Sequence, residues 1–139
     1  MPYDSCDCYT VKDRNWIEMK SLLNCRQYPS SARIRLGKRE VMVVAGGLYE
    51  YKSSVKQDVE LFDGGQWVND KVAQMPVPLY RHCLVKLNDT QLLAVGGRIS
   101  HGTDNQTGNS YFYNALENKW TTGPGFIISF FLYLIYKSN

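Results

Sequence analysis

An apolar run closed by two glycines is written twice in this chain, as VMVVAGG at residues 41–47 and as LLAVGG at residues 92–97. Glycine enters positive φ without steric cost, and its missing side chain lets a second backbone approach closely. A pair set directly after an apolar strand therefore marks a place where chain direction and crowding both restrict the residue. The two pairs, Gly46-Gly47 and Gly96-Gly97, stand fifty residues apart. Tryptophans keep nearly the same step, with Trp16, Trp67 and Trp120 separated by 51 and 53 residues. An aromatic residue precedes each of them: Tyr9, Phe62 and Tyr113. Three kinds of landmark in one register define an internal repeat, and a period of tens of residues dictates the fold class.

Inside each unit the pattern predicts strand after strand. ARIRL (32–36) alternates, VMVVA (41–45) is continuously apolar, DVELF (58–62) alternates again and QWV (66–68) is a short fourth piece. The next unit keeps the order with CLVKL (83–87), QLLAV (91–95), SYFYN (110–114) and NKWTT (118–122). Turn residues separate them: Gly-Lys at 37, Asp-Gly-Gly at 63, Asn-Asp at 88 and NALEN from 114. Only residues 17–25 suggest a weak helical turn. The expected class is all-β.

The order of apolar run, diglycine, variable loop, aromatic residue and then tryptophan resembles the kelch repeat, from about Tyr9 to about Gly125. MPVPLYRH (75–82) resembles that family's proline-containing crossover, ended by Arg81; Met19 through Arg33 fills the same place one unit earlier, with Arg33 at a different spacing from its diglycine. The resemblance implies a partial kelch-type β-propeller: about two full four-stranded antiparallel blades plus half of a preceding blade. Residues 1–24 would form the outer half of that earlier blade. Residues 25–74 would form one blade, with Gly46, Gly47, Phe62 and Trp67, and residues 75–125 the next, with Gly96, Gly97, Tyr113 and Trp120. In kelch-like units the aromatic residue and the tryptophan pack against the adjacent blade. Propellers close with four to eight blades, so the expectation is a piece or short isoform of a longer product rather than a self-assembling ring.

Residues 126–139 leave the pattern. FIISFFLYLIY (126–136) is about half the length of a membrane-spanning helix. Its aromatic and β-branched content favours a strand over a helix. The reading is a tail from an altered frame or splice, with a buried strand or a membrane-associated end as alternatives.

The net charge of +3 comes from 16 scattered basic residues against 13 acidic ones, which gives no reason to expect nucleic acid. Cys6, Cys8, Cys25 and Cys83 lack the paired spacing of a zinc site and read as free thiols in a reducing, cytoplasmic compartment. No charged stretch followed by an apolar one opens the chain, so no secretory signal is expected. His82 and His101, the two histidines, stand in no metal-ligand spacing, and no catalytic motif is present. No enzyme activity, cofactor or metal is therefore expected.

Protein binding is the expected function, carried by loops on a rigid scaffold. The connections 47–58 and 98–109 follow the diglycines and offer Tyr49, Tyr51, Lys52, Arg98 and His101 as contacts with a protein partner. Similar propellers serve as substrate-recognition parts of ubiquitin-ligase adaptors or bind actin. The alternatives are a short isoform attached to a membrane through its tail, and a fragment of a kelch-like copper oxidase.

Overall fold

The computed structural model describes residues 4–49, 54–100 and 106–125. Strands β1 (Cys6–Thr10) and β2 (Asn15–Met19) form an antiparallel hairpin by themselves. Then come β3 (Ser30–Leu36), β4 (Arg39–Ala45), β5 (Leu48–Tyr49), β6 (Ser54–Val55), β7 (Val59–Asp63) and β8 (Gln66–Val68). The chain ends its described part with β9 (Cys83–Asn88), β10 (Gln91–Val95), β11 (Ser110–Asn114) and β12 (Lys119–Thr122). Two four-stranded antiparallel sheets result, in the orders β3-β4-β7-β8 and β9-β10-β11-β12. The all-β expectation holds, and all eight segments read as strands in the two repeat units lie in these sheets.

Two expectations need correction. Residues 17–25 form no helical turn: Ile17 to Met19 complete β2, opposite Cys8 to Cys6, where alternating side chains satisfy a strand. The connection 47–58 is not all loop, because Leu48 and Tyr49 pair with Val55 and Ser54.

The aromatic landmarks occupy one position in three hairpins. Tyr9 lies opposite Trp16, Phe62 opposite Trp67 and Tyr113 opposite Trp120. Their ring centroids are 5.2, 5.3 and 5.1 Å apart, the range of favourable tilted aromatic pairs. Two of these hairpins turn through four residues ended by a left-handed residue, Arg14 or Asn118. The middle one turns through Gly64-Gly65 alone, both at positive φ, as a two-residue turn matched to strand twist requires.

The core joins the two sheets. Ile34, Val43, Ala45, Val59 and Leu61 of the first form one apolar cluster with Leu84, Leu92, Ala94, Tyr111 and Tyr113 of the second. Val72, Met75 and Leu79, from the crossover between the sheets, complete it. Fully burying an aliphatic side chain contributes about 1.5–3 kcal/mol, so the crossover is a structural layer and not a tether. Each tryptophan then reaches back one unit. The indole of Trp120 donates to the Ala73 carbonyl at 2.9 Å, and that of Trp67 donates to the Lys20 carbonyl at 2.9 Å, both spanning 47 residues. Asn118 fixes the same junction by accepting from the Ala73 amide and the Tyr113 hydroxyl. Burial pushes the Tyr113 phenol up to about 12.

Candidate functional site

The diglycines are seats for the crossovers. Gly47 has φ +111, and a Cβ there would stand 3.0 Å from the Gln27 carbonyl oxygen. Gly97 has φ +85, and its Cβ would stand 2.8 Å from the Tyr80 carbonyl oxygen. Each second glycine thus lies against the crossover that leads into its own sheet. Gly46 (φ +64) lies against the following crossover, where a Cβ would overlap the Leu79 carbonyl oxygen; Gly96 has φ +67. In the first pair both residues must be small, because one crossover touches Gly47 while the next touches Gly46.

This seating assembles an exposed rim. Gln27 and Leu48 exchange both backbone hydrogen bonds, and so do Tyr80 and Arg98. Matching these bridges makes Tyr28 the counterpart of Arg81. Both are exposed non-glycine residues at positive φ, +52 and +55. They also touch: the Arg81 amide donates to the Tyr28 carbonyl at 3.1 Å, and the Arg81 guanidinium lies 4.4 Å from the centre of the Tyr28 ring. Tyr49 follows Leu48 on the same rim, with the Lys56 ammonium 5.3 Å over its ring. Tyr49, Tyr28, Arg81 and Arg98 therefore form one connected row. Tyr51, Lys52 and His101 lie outside the described residues.

Arg81 was expected to act as a repeat landmark, with Arg33 as its displaced equivalent. Arg33 instead sits on β3 and pairs with Glu40 at 3.1 Å. Tyr28 was missed as a rim residue. Its sequence signal is the 53-residue step to Arg81, obscured because the β3–β4 hairpin is longer than β9–β10.

Beneath the rim lies a buried ionic cluster that sequence reasoning also missed. The side chains of Arg26 and Glu60 are both 0% exposed and form a salt bridge, and Asp58 joins Arg26 at 2.6 Å. Arg26 donates further to the carbonyls of Gly46 and Asn24, while Glu60 accepts the amides of Leu23 and Asn24 at 2.7 and 3.1 Å. The cluster fixes the 20–27 segment to the first sheet.

His82 is a further buried polar residue near the rim. It is 7% exposed, and neither ring nitrogen has a hydrogen-bond partner among the described residues. A Cβ on Gly46 would be 3.0 Å from its Cε1, and one on Gly97 would be 2.7 Å from its Cβ, so the residue is wedged between the two diglycines. Burial without a partner lowers its pKa from 6.5 to about 4. The unfolded chain therefore binds a proton that the folded chain refuses, and stability falls as pH drops from about 6.5 to about 4. The shift corresponds to about 3 kcal/mol once pH is below both values. Urea titrations of the parent and His82→Leu at pH 7.5 and pH 4.5 check this: the parent should lose at least about 2 kcal/mol more than the variant. Equal losses would remove the imidazole as the cause.

Among the described residues no group of three His, Cys, Asp or Glu side chains could hold a metal ion. No helix among them is long and apolar enough to cross a membrane. In comparisons with known proteins, no family model matches the chain and no curated protein matches it. The repeat reading therefore rests on the register inside the chain.

Proposed function

We propose that this chain is part of a kelch-type β-propeller that binds another protein through its diglycine-end rim and performs no catalysis. The observation that supports this most is the doubled set of contacts: the same indole-to-carbonyl bond and the same crossover-to-diglycine bridge, one unit apart. A sheet that buries both faces against like sheets is the logic of a propeller. The first strands β3 and β9 are neighbours, joined where the Leu84 amide donates to Ser30 Oγ at 2.8 Å and the Arg35 amide donates to the Asp89 carbonyl at 2.6 Å. Strands nearest a common axis would meet in this way.

The rim is the binding surface in this reading because tyrosine and arginine are frequent interface anchors. Non-glycine residues at positive φ also carry local strain, which concentrates at functional sites. Substrate recognition within a ubiquitin-ligase adaptor, or actin binding, is the setting the kelch resemblance suggests. The test is quantitative capture of cellular proteins on the parent and on a Tyr28→Ser/Arg81→Glu double variant that melts normally. At least one captured protein should fall by about tenfold or more, the loss expected when an anchor is removed. Identical capture by both would overturn the rim assignment.

A further inference from the structure

We propose that the cleft between β2 and the β7–β8 hairpin is a binding site for a small neutral aromatic carboxamide. The two junctions between successive units differ at one spot. Each is closed by an indole, Trp67 on the Lys20 carbonyl and Trp120 on the Ala73 carbonyl, so Lys20 is the structural counterpart of Ala73. At the second junction the Ala73 amide donates to Asn118 Oδ1 at 2.7 Å, and the Tyr113 hydroxyl donates to the same oxygen at 2.9 Å. A side-chain carboxamide thus caps the crossover. Phe62 and Gly65 take these places at the first junction. Phe62 lies opposite Trp67 as Tyr113 lies opposite Trp120. Gly65 stands two residues before Trp67, left-handed at φ +93, as Asn118 stands two before Trp120 at φ +48. The first of these has no hydroxyl and the second no side chain.

The cleft has a volume of about 540 Å³ and is lined by Glu18, Met19, Lys20, Ser21, Phe62 and Gly65. Ligand clefts run from about 300 to about 1,000 Å³. A Cβ on Gly65 would meet nothing within 4 Å, so the position from which Asn118 acts at the second junction is open at the first. Both walls belong to the described chain. Strand β2 is the outer strand of its hairpin, as β8 and β12 are of their sheets, and strands continuing that hairpin would add beside β1. The walls select the ligand. The half-buried Phe62 ring and Met19 thioether offer a surface to a flat ring. The Lys20 amide, like that of Ala73, takes a carbonyl oxygen. Glu18 and Lys20 give the walls one charge of each sign, so the group that fits is neutral and carries a donor for the carboxylate beside its acceptor. A primary carboxamide on an aromatic ring supplies all three. The site lies at the β7–β8 turn, the end of the sheet opposite the diglycines, so it is independent of partner binding at the rim.

Titration of the 139-residue chain with benzamide, followed by nuclear magnetic resonance at the backbone amides, tests the proposal. The Lys20 amide signal should move saturably, half-way at about a millimolar or below, as suits so small a ligand. Benzoate should need at least about tenfold more. Phe62→Tyr/Gly65→Asn gives the first junction the hydroxyl and carboxamide of the second, and should weaken benzamide binding by at least about tenfold. Asn118→Gly is the reverse test and does not depend on the double variant folding: the Ala73 amide, still in the parent, should begin to move with benzamide. A parent whose Lys20 amide does not respond would overturn the proposal. So would benzoate binding as well as benzamide, which would assign the contact to the Lys20 ammonium. A folded double variant that binds like the parent, or an Ala73 amide that stays still in the Asn118→Gly chain, would overturn it as well.

Discussion

Gly46→Ala is expected to destabilise the chain by more than about 4 kcal/mol, a large share of the 5–15 kcal/mol that holds a typical domain. The left-handed backbone at φ +64 accounts for about 1–2 kcal/mol of this. The rest is steric. The new methyl overlaps the Leu79 carbonyl oxygen and comes within 2.9 Å of Met75 Cε. Met75 can adjust, but that carbonyl cannot turn away, since it accepts the Gly47 amide at 2.8 Å. Relief requires the whole crossover to lift from the sheet, taking buried Met75 and Leu79 out of the core. Gly37→Ala separates the two causes: its φ is +61, yet a Cβ there meets nothing within 4 Å. Urea denaturation of both variants should show only about 1–2 kcal/mol lost at Gly37. Gly47→Val should resemble Gly46→Ala, because Gln27 and Arg26 crowd it. Similar losses at Gly37 and Gly46 would leave backbone conformation as the whole effect and remove the seat.

The strands were legible because hydrophobic period and turn chemistry are local properties, and the diglycines exposed the repeat. The sheets also show where local reading stops. DVELF reads as an alternating strand, which puts Glu60 toward solvent, yet Val59, Glu60 and Leu61 are all buried. Alternation reports one wet face, whereas this sheet is covered on both sides, by the second sheet and by the 20–27 segment. The apolar residues needed no further explanation once buried. Glu60 did, and its partner Arg26 lies 34 residues away in a stretch with no periodic signal. The rim was half legible for a similar reason. Loops after the diglycines pointed to Tyr49 and Arg98, but the stacking of Tyr28 on Arg81 joins two crossovers and depends on a register that only the bridges reveal.

Arg26→Met should cost about 3–5 kcal/mol, the range for removing one partner of a buried ion pair. Glu60 would keep the amides of Leu23 and Asn24 but would hold an unneutralised charge out of water. The carbonyl of Gly46 would lose its guanidinium donor as well. The repeat supplies the control. Matching bridges and aromatic pairs place Leu79, Asn109 and Tyr111 of the second unit where the first has Arg26, Asp58 and Glu60. There the site is apolar and aromatic, with one amide-to-hydroxyl contact at 3.5 Å. One position in the repeat therefore accommodates two solutions, and the ionic one is not required for a sheet to stand. Transplanting the second, as Arg26→Leu/Glu60→Tyr, should cost less than Arg26→Met alone, although it removes both charges and every bond they make. Denaturation midpoints of the two variants decide it. A double variant weaker than the single one by more than about 1 kcal/mol would mean that the Glu60 bonds to the 23–24 backbone, and not the unpaired charge, dominate the site. The opposite order would mean that Arg26 is held there mainly to neutralise Glu60.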